Sequence, residues 1–150
     1  MANPNDHAVH VLNGLIETTL DSADGYRKAA EKADNPRFKD LFETRARKRE
    51  QLTSDLKAEV RTFGGEPKDD GTMLAATHRA FLDLKDKIAG ADDRTTINEV
   101  ERGEDVIRDK FEKATRDTDL PVEAKQVVQR AYATVKADHD EISALKHQLS

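Results

Sequence analysis

The 150-residue chain contains no cysteine and no tryptophan. Without thiols it can hold no disulfide, no cysteine-ligated iron–sulfur cluster and no thiol nucleophile. Aromatic residues are scarce, at 5% of the chain. No run approaches the roughly 18 apolar residues of a membrane span. The opening Met-Ala-Asn-Pro-Asn-Asp-His lacks the apolar core of a signal peptide. The expectation is a cytoplasmic protein with no membrane contact. An excess of one charge sign is also missing. Thirty acids are interspersed with 25 bases, for a net charge of −5, and no basic face emerges. Nucleic acid is therefore not an expected partner.

What the chain does have is charge and period. Asp, Glu, Lys and Arg make up 37% of it, and the mean hydropathy is −0.82. Such values suit either a disordered chain or a helical one with a heavily charged surface. Regular helical periodicity decides for the second. The length predicts a single domain, residues 1–150, large enough to bury one core.

Helix A is expected over residues 6–33, with Leu12, Ile16, Thr19, Ala23, Tyr26 and Ala30 spaced in threes and fours. Asn35-Pro36 ends it and opens helix B, 36–63, with Asn35 as N-cap and Pro36 at the first helical position. Gly64-Gly65 supplies its stop. After a loop over 66–72, a short helix over 73–89 presents Leu74, Thr77/His78, Phe81, Leu84 and Ile88. Helix C, 92–117, follows an Asp92/Asp93 cap and carries Ile97, Val100/Glu101, Glu104, Ile107, Phe111 and Ala114. Helix D, 121–149, carries Val128, Ala131, Val135, Asp138/His139, Ile142, Leu145 and Leu149. Four long helices with one long B–C connection predict an all-α, ferritin-like four-helix bundle, because a crossover with its own helix can run the bundle's length.

Helix B breaks its own pattern. Its stripe reads Phe38, Leu41/Phe42, Arg45, Arg49, Leu52, Leu56, Val60, Phe63, so two arginines share a face with the leucines. A guanidinium keeps its charge inside a protein and needs carboxylates from other helices. If the crossover traverses the bundle, helices B and C run parallel. Equal depth then aligns Arg45 and Arg49 with Glu101 and Glu104, with Asp138 and His139, and with Ala23 and Tyr26.

Ferritin-like proteins hold two metal ions at such a level, with one Glu from each of two helices and Glu-x-x-His from each of the others. Here the set is fragmentary. Lys136, and no glutamate, precedes His139 by three residues; helix B offers arginines; Glu17 of helix A sits beside the stripe and off the level. Two fixed positive charges would repel a divalent cation. The expectation is a metal-free network of Arg45, Arg49, Glu101, Glu104, Asp138, His139 and Tyr26, with no cofactor. The alternative is iron or manganese on Glu101, Glu104, Asp138 and His139, should the arginines snorkel outward.

The other candidates have plainer readings. His7 and His10, at i, i+3 spacing, suit a metal but stand at an expected frayed helix start. His78 reads as a satisfied packing histidine, and His147 as a partner of helix-end carbonyls. Tyr26 and Tyr132 read as core-edge residues, with Tyr26 able to donate to the central carboxylates. Gly103, inside helix C, signals close helix approach.

Several segments together resemble a known family: Leu12-Asn13-Gly14-Leu15-Ile16-Glu17, Gly25-Tyr26-Arg27-Lys28-Ala29-Ala30-Glu31, Arg45-Ala46-Arg47-Lys48-Arg49, Phe63-Gly64-Gly65-Glu66-Pro67, Glu101-Arg102-Gly103-Glu104-Asp105 and His139-Asp140-Glu141-Ile142. The chain is similar to the bacterial four-helix-bundle family called domain of unknown function 2383, of the ferritin-like superfamily. That resemblance implies a bacterial cytoplasmic setting and a role in stress or maintenance. It brings no reaction and no ligand set. The expected function is a non-enzymatic stress-associated or interaction bundle; the alternative is a divergent metal-binding protein or oxidase. Whether the bundle forms a homodimer is left to solution mass.

Overall fold

A computed structural model describes residues 4–68 and 76–149, and these are all-helical. The elements are α1 (Pro4–Lys32), α2 (Pro36–Thr62), α3 (Ala76–Ile88), α4 (Asp93–Thr115) and α5 (Val122–Leu149). The sequence boundaries differ from these by one or two residues at most ends, where helices fray and definitions diverge. The expected start of the short helix at Met73, with Leu74, lies outside the described residues, as does the side chain of Thr77. Among the described residues, no helix is long and apolar enough to cross a membrane.

Local chemistry sets the boundaries. Asn35 accepts the N–H of Arg37 through its side chain, with Pro36 at the first position of α2, where its missing N–H costs nothing. Asp92 caps α4 by accepting from the Thr95 N–H at 2.9 Å. At the end of α2, Gly64 takes φ +82°, donating to Arg61 while Gly65 donates to Val60. This paired closure needs a left-handed residue, and glycine adopts it without a Cβ clash.

The packing order is legible from which elements touch. α1 packs on α2 and α4, α4 packs on α5, and α5 touches α2, so the four long helices form a ring. Their directions follow from contacts at the two ends. The Asp93 carboxylate at the start of α4 accepts the backbone N–H groups of Asp34 and Asn35 just before α2, at 2.8 and 2.9 Å. Arg94 reaches the Leu149 carbonyl at the end of α5. At the other end, His7 meets Asp117 at 2.8 Å. So α2 and α4 start together and run parallel, each antiparallel to its neighbours α1 and α5. The α2–α4 connection therefore returns the length of the helices, and α3 seats on α1 and α4 as it does so. Gly103 makes that seat possible: a Cβ there would lie 2.8 Å from Leu84 Cδ1 and 3.0 Å from Phe81 Cε1.

The apolar core is in two parts. One gathers Leu12, Leu15, Ile16, Leu56, Val60, Ile107, Phe111, Val128 and Val135. The other gathers Tyr26, Phe38, Phe42, Ile97, Val100 and Ile142 under Phe81, Leu84 and Ile88 of α3. Between them lies a layer of buried charge.

Candidate functional site

That layer is built where α2 faces α4 and α5. Helical spacing turns Arg45 and Arg49, one turn apart, toward the same interior as Phe42 and Leu56, and they are 3% and 1% exposed. Desolvating a guanidinium costs several kcal/mol unless charge and hydrogen bonds replace the water. Arg49 has both. Its Nη1 lies 3.0 Å from Glu104 Oε1 and its Nη2 donates to Glu104 Oε2 at 3.0 Å, a two-pronged contact. Nη2 also reaches Asp138 Oδ2 at 3.4 Å, and Nη1 donates to Ser22 Oγ at 2.8 Å. Burial works against the charge of Arg49, but Glu104, with Tyr26 and Asp138, outweighs it and raises its pKa.

Arg45 closes the layer toward solvent. It donates to the Asp138 carbonyl at 3.2 Å, to Tyr26 at 3.3 Å and to Glu141 at 2.9 Å. Lys48 donates to Asp138 Oδ1 at 2.9 Å from the rim. Two buried guanidiniums thus face two buried carboxylates, and the exposed Lys48 and Glu141 balance each other.

Tyr26 joins the parts. Its hydroxyl donates to Glu104 Oε1 at 2.6 Å, and its ring lies 5.7 and 5.6 Å from the guanidinium carbons of Arg45 and Arg49. Arginine faces packed on an aromatic ring gain electrostatic attraction in a dry site. Burial, reinforced by Glu104, pushes the Tyr26 pKa well above its ordinary value, so it remains a donor.

Of the seven residues expected at this level, five meet: Tyr26, Arg45, Arg49, Glu104 and Asp138. Glu101 and His139 do not. Glu101 turns to Lys146, which donates to it at 2.9 Å; burial opposes its ionisation, but Lys146 and Ser143 prevail and lower its pKa. His139 lies between Asp105 at 2.6 Å and Asp140 at 3.1 Å, with Arg108 at 3.0 Å. Each stands one residue along its helix from the interior position, a rotation of about 100°. The four residues of the expected metal alternative therefore do not converge. Sequence reading missed Ser22, Lys48 and Glu141. Only Ser22 carried a signal, four residues before Tyr26 on the same face of α1.

Two further histidines depart from expectation or refine it. His7 is part of α1 and bonded to Asp117, so it is tied to the end of α4 while still partly exposed. Among the described residues, the one group whose donor atoms could hold a metal ion is His7, Asp117 and Asp119. His78 packs as a core histidine, with Nδ1 2.8 Å from Asp21, yet its Nε2 and Asp21 Oδ2 are buried without a partner.

A model of the family described as Domain of unknown function (DUF2383) matches residues 7–117. The chain belongs to this family. The DUF2383 match runs from α1 to just past α4, so it includes Tyr26, Arg45, Arg49 and Glu104, while Asp138 lies beyond it. No curated protein matches the chain.

Proposed function

We propose that this DUF2383 protein is a ferritin-like four-helix bundle in which two arginine side chains stand where a di-metal centre would be, and that it works as a non-enzymatic stress-associated or interaction module. Parallel α2 and α4, linked by a connection that returns the length of the helices, support the ferritin-like connectivity. The observation that carries the rest is the pairing of Arg49 with both oxygens of Glu104. A ligand to a bridging metal needs those oxygens free, and a guanidinium cannot give up its charge to make way. The residues present do not fit a di-metal centre. The cavity beside Ser22, Tyr26, Gly103 and Glu104 is about 10 Å³, enough for no more than one water.

The test offers iron or manganese under reducing conditions to the chain carrying His7→Ala, which removes the peripheral histidine–aspartate group from the count. Elemental analysis after gel filtration should find no stoichiometric metal. Stoichiometric metal that disappears with Glu104→Gln would overturn the reading. Loss of stress tolerance on deleting the gene, restored by the wild-type chain, is the expected cellular outcome.

A further inference from the structure

We propose that His7, Asp117 and Asp119 form a binding site for one first-row divalent metal ion, a clip between the start of α1 and the α4–α5 turn. One imidazole nitrogen and two carboxylate oxygens lie within 4.8 Å of one another. This nitrogen–oxygen set suits zinc or manganese better than magnesium or calcium, which prefer oxygen alone.

The parts are held from two directions. His7 completes the first turn of α1, a 29-residue helix. Asp117 follows the last turn of α4, and the Asp119 N–H donates to its Oδ1 at 2.8 Å. That bond orients the carboxylate so that its other oxygen, Oδ2, faces His7 Nε2 at 2.8 Å. Supporting hydrogen bonds of this kind fix ligand orientation in metal sites. In the free protein a shared hydrogen bond joins nitrogen and oxygen; a metal ion would replace that bridge. The Asp119 side chain is exposed and can swing to close the third position. Room remains for the other ligands, since His7 and Asp117 are 36% and 22% exposed and water can reach them. Asp117 also lines a groove of about 650 Å³ between α1 and α4, shared with His10, one turn beyond His7. A second imidazole is thus close to the same opening.

The two arms lie 110 residues apart in sequence, so an ion there binds the folded chain and not the unfolded one. It lies at the end of the helices, far along α1 from Tyr26 and the arginine layer.

The test is calorimetric titration of metal-free full-length chain with zinc chloride, beside thermal melts with and without zinc. One equivalent should bind, and zinc should raise the melting temperature. His7→Ala and Asp119→Asn should each weaken binding at least about tenfold and abolish the rise. Both variants should melt without zinc close to the parent, because neither side chain is in the core. Magnesium at equal concentration should not displace zinc. Absence of binding, or zinc binding unaltered in both variants, would overturn the proposal.

Discussion

Among the places where described residues bury polar side chains from different helices, the centre and the α1–α3 seam are finished to different degrees. At the centre, Arg49 and Glu104 are each 1% exposed, and their charged atoms are matched by each other, by Tyr26, by Ser22 and by Asp138. At the seam between α1 and α3, Asp21 and His78 make one contact at 2.8 Å, and each leaves one buried atom unmatched. A completed network makes every member expensive to remove, whereas an incomplete pair carries a standing desolvation cost. The centre should therefore punish substitution, and the seam should reward it.

The largest effect expected is at the centre. Arg49→Ala leaves Glu104 buried and uncompensated and should cost about 3–5 kcal/mol by denaturant titration. A cost below about 1 kcal/mol would mean that the network contributes little. Tyr26→Phe removes only the hydroxyl bonded to Glu104 and should cost about 1.5–3 kcal/mol, the range for a hydrogen bond to a charged group. In a Tyr132→Phe background, the ultraviolet tyrosinate band should stay absent well above the ordinary value of 10.0 and appear only with unfolding. The sign agrees with linkage: the folded chain keeps a proton that the unfolded chain loses, so stability falls as pH rises through that range.

The seam should answer in the opposite direction and by less. Burial, only partly offset by His78, raises the Asp21 pKa above its ordinary 3.8. The folded chain then holds a proton where the unfolded chain has lost it, so this group's contribution falls as pH rises from 3.8 through the raised value. Asp21→Asn keeps an acceptor for His78 without the buried charge. It should stabilise the protein at neutral pH, with the gain fading below the carboxylate range; a loss of stability at neutral pH would erase the contrast with the centre. The smallest effect belongs to the surface. Arg27, half exposed and paired with Asp24 and Glu50, should cost about 0.2–1 kcal/mol on change to Ala.

The contrast also separates what a sequence can and cannot reveal. Apolar spacing and caps at Asn35, Asp92 and Gly64 gave away the helices, because these are local signals. Counting depth along parallel helices placed Arg45, Arg49, Glu104, Asp138 and Tyr26 at one level, because helical rise is uniform. Depth says nothing about rotation, which is why Glu101 and His139 were grouped with them but face Lys146 and Asp105. The Asp21–His78 pair needs the seat of α3, set by Gly103 and Leu84 across long sequence separation. Lys48 and Glu141 join through side-chain reach, which no periodicity encodes.

The most direct measurement of the central claim is a double-mutant cycle on Arg49→Met and Glu104→Leu, read by denaturant unfolding. Each single change should be severely destabilising, and the pair should be much less so than their sum, with a coupling of about 2–3 kcal/mol. Additive losses, with a coupling below about 0.5 kcal/mol, would contradict the account that these two charges hold each other at the centre of the protein.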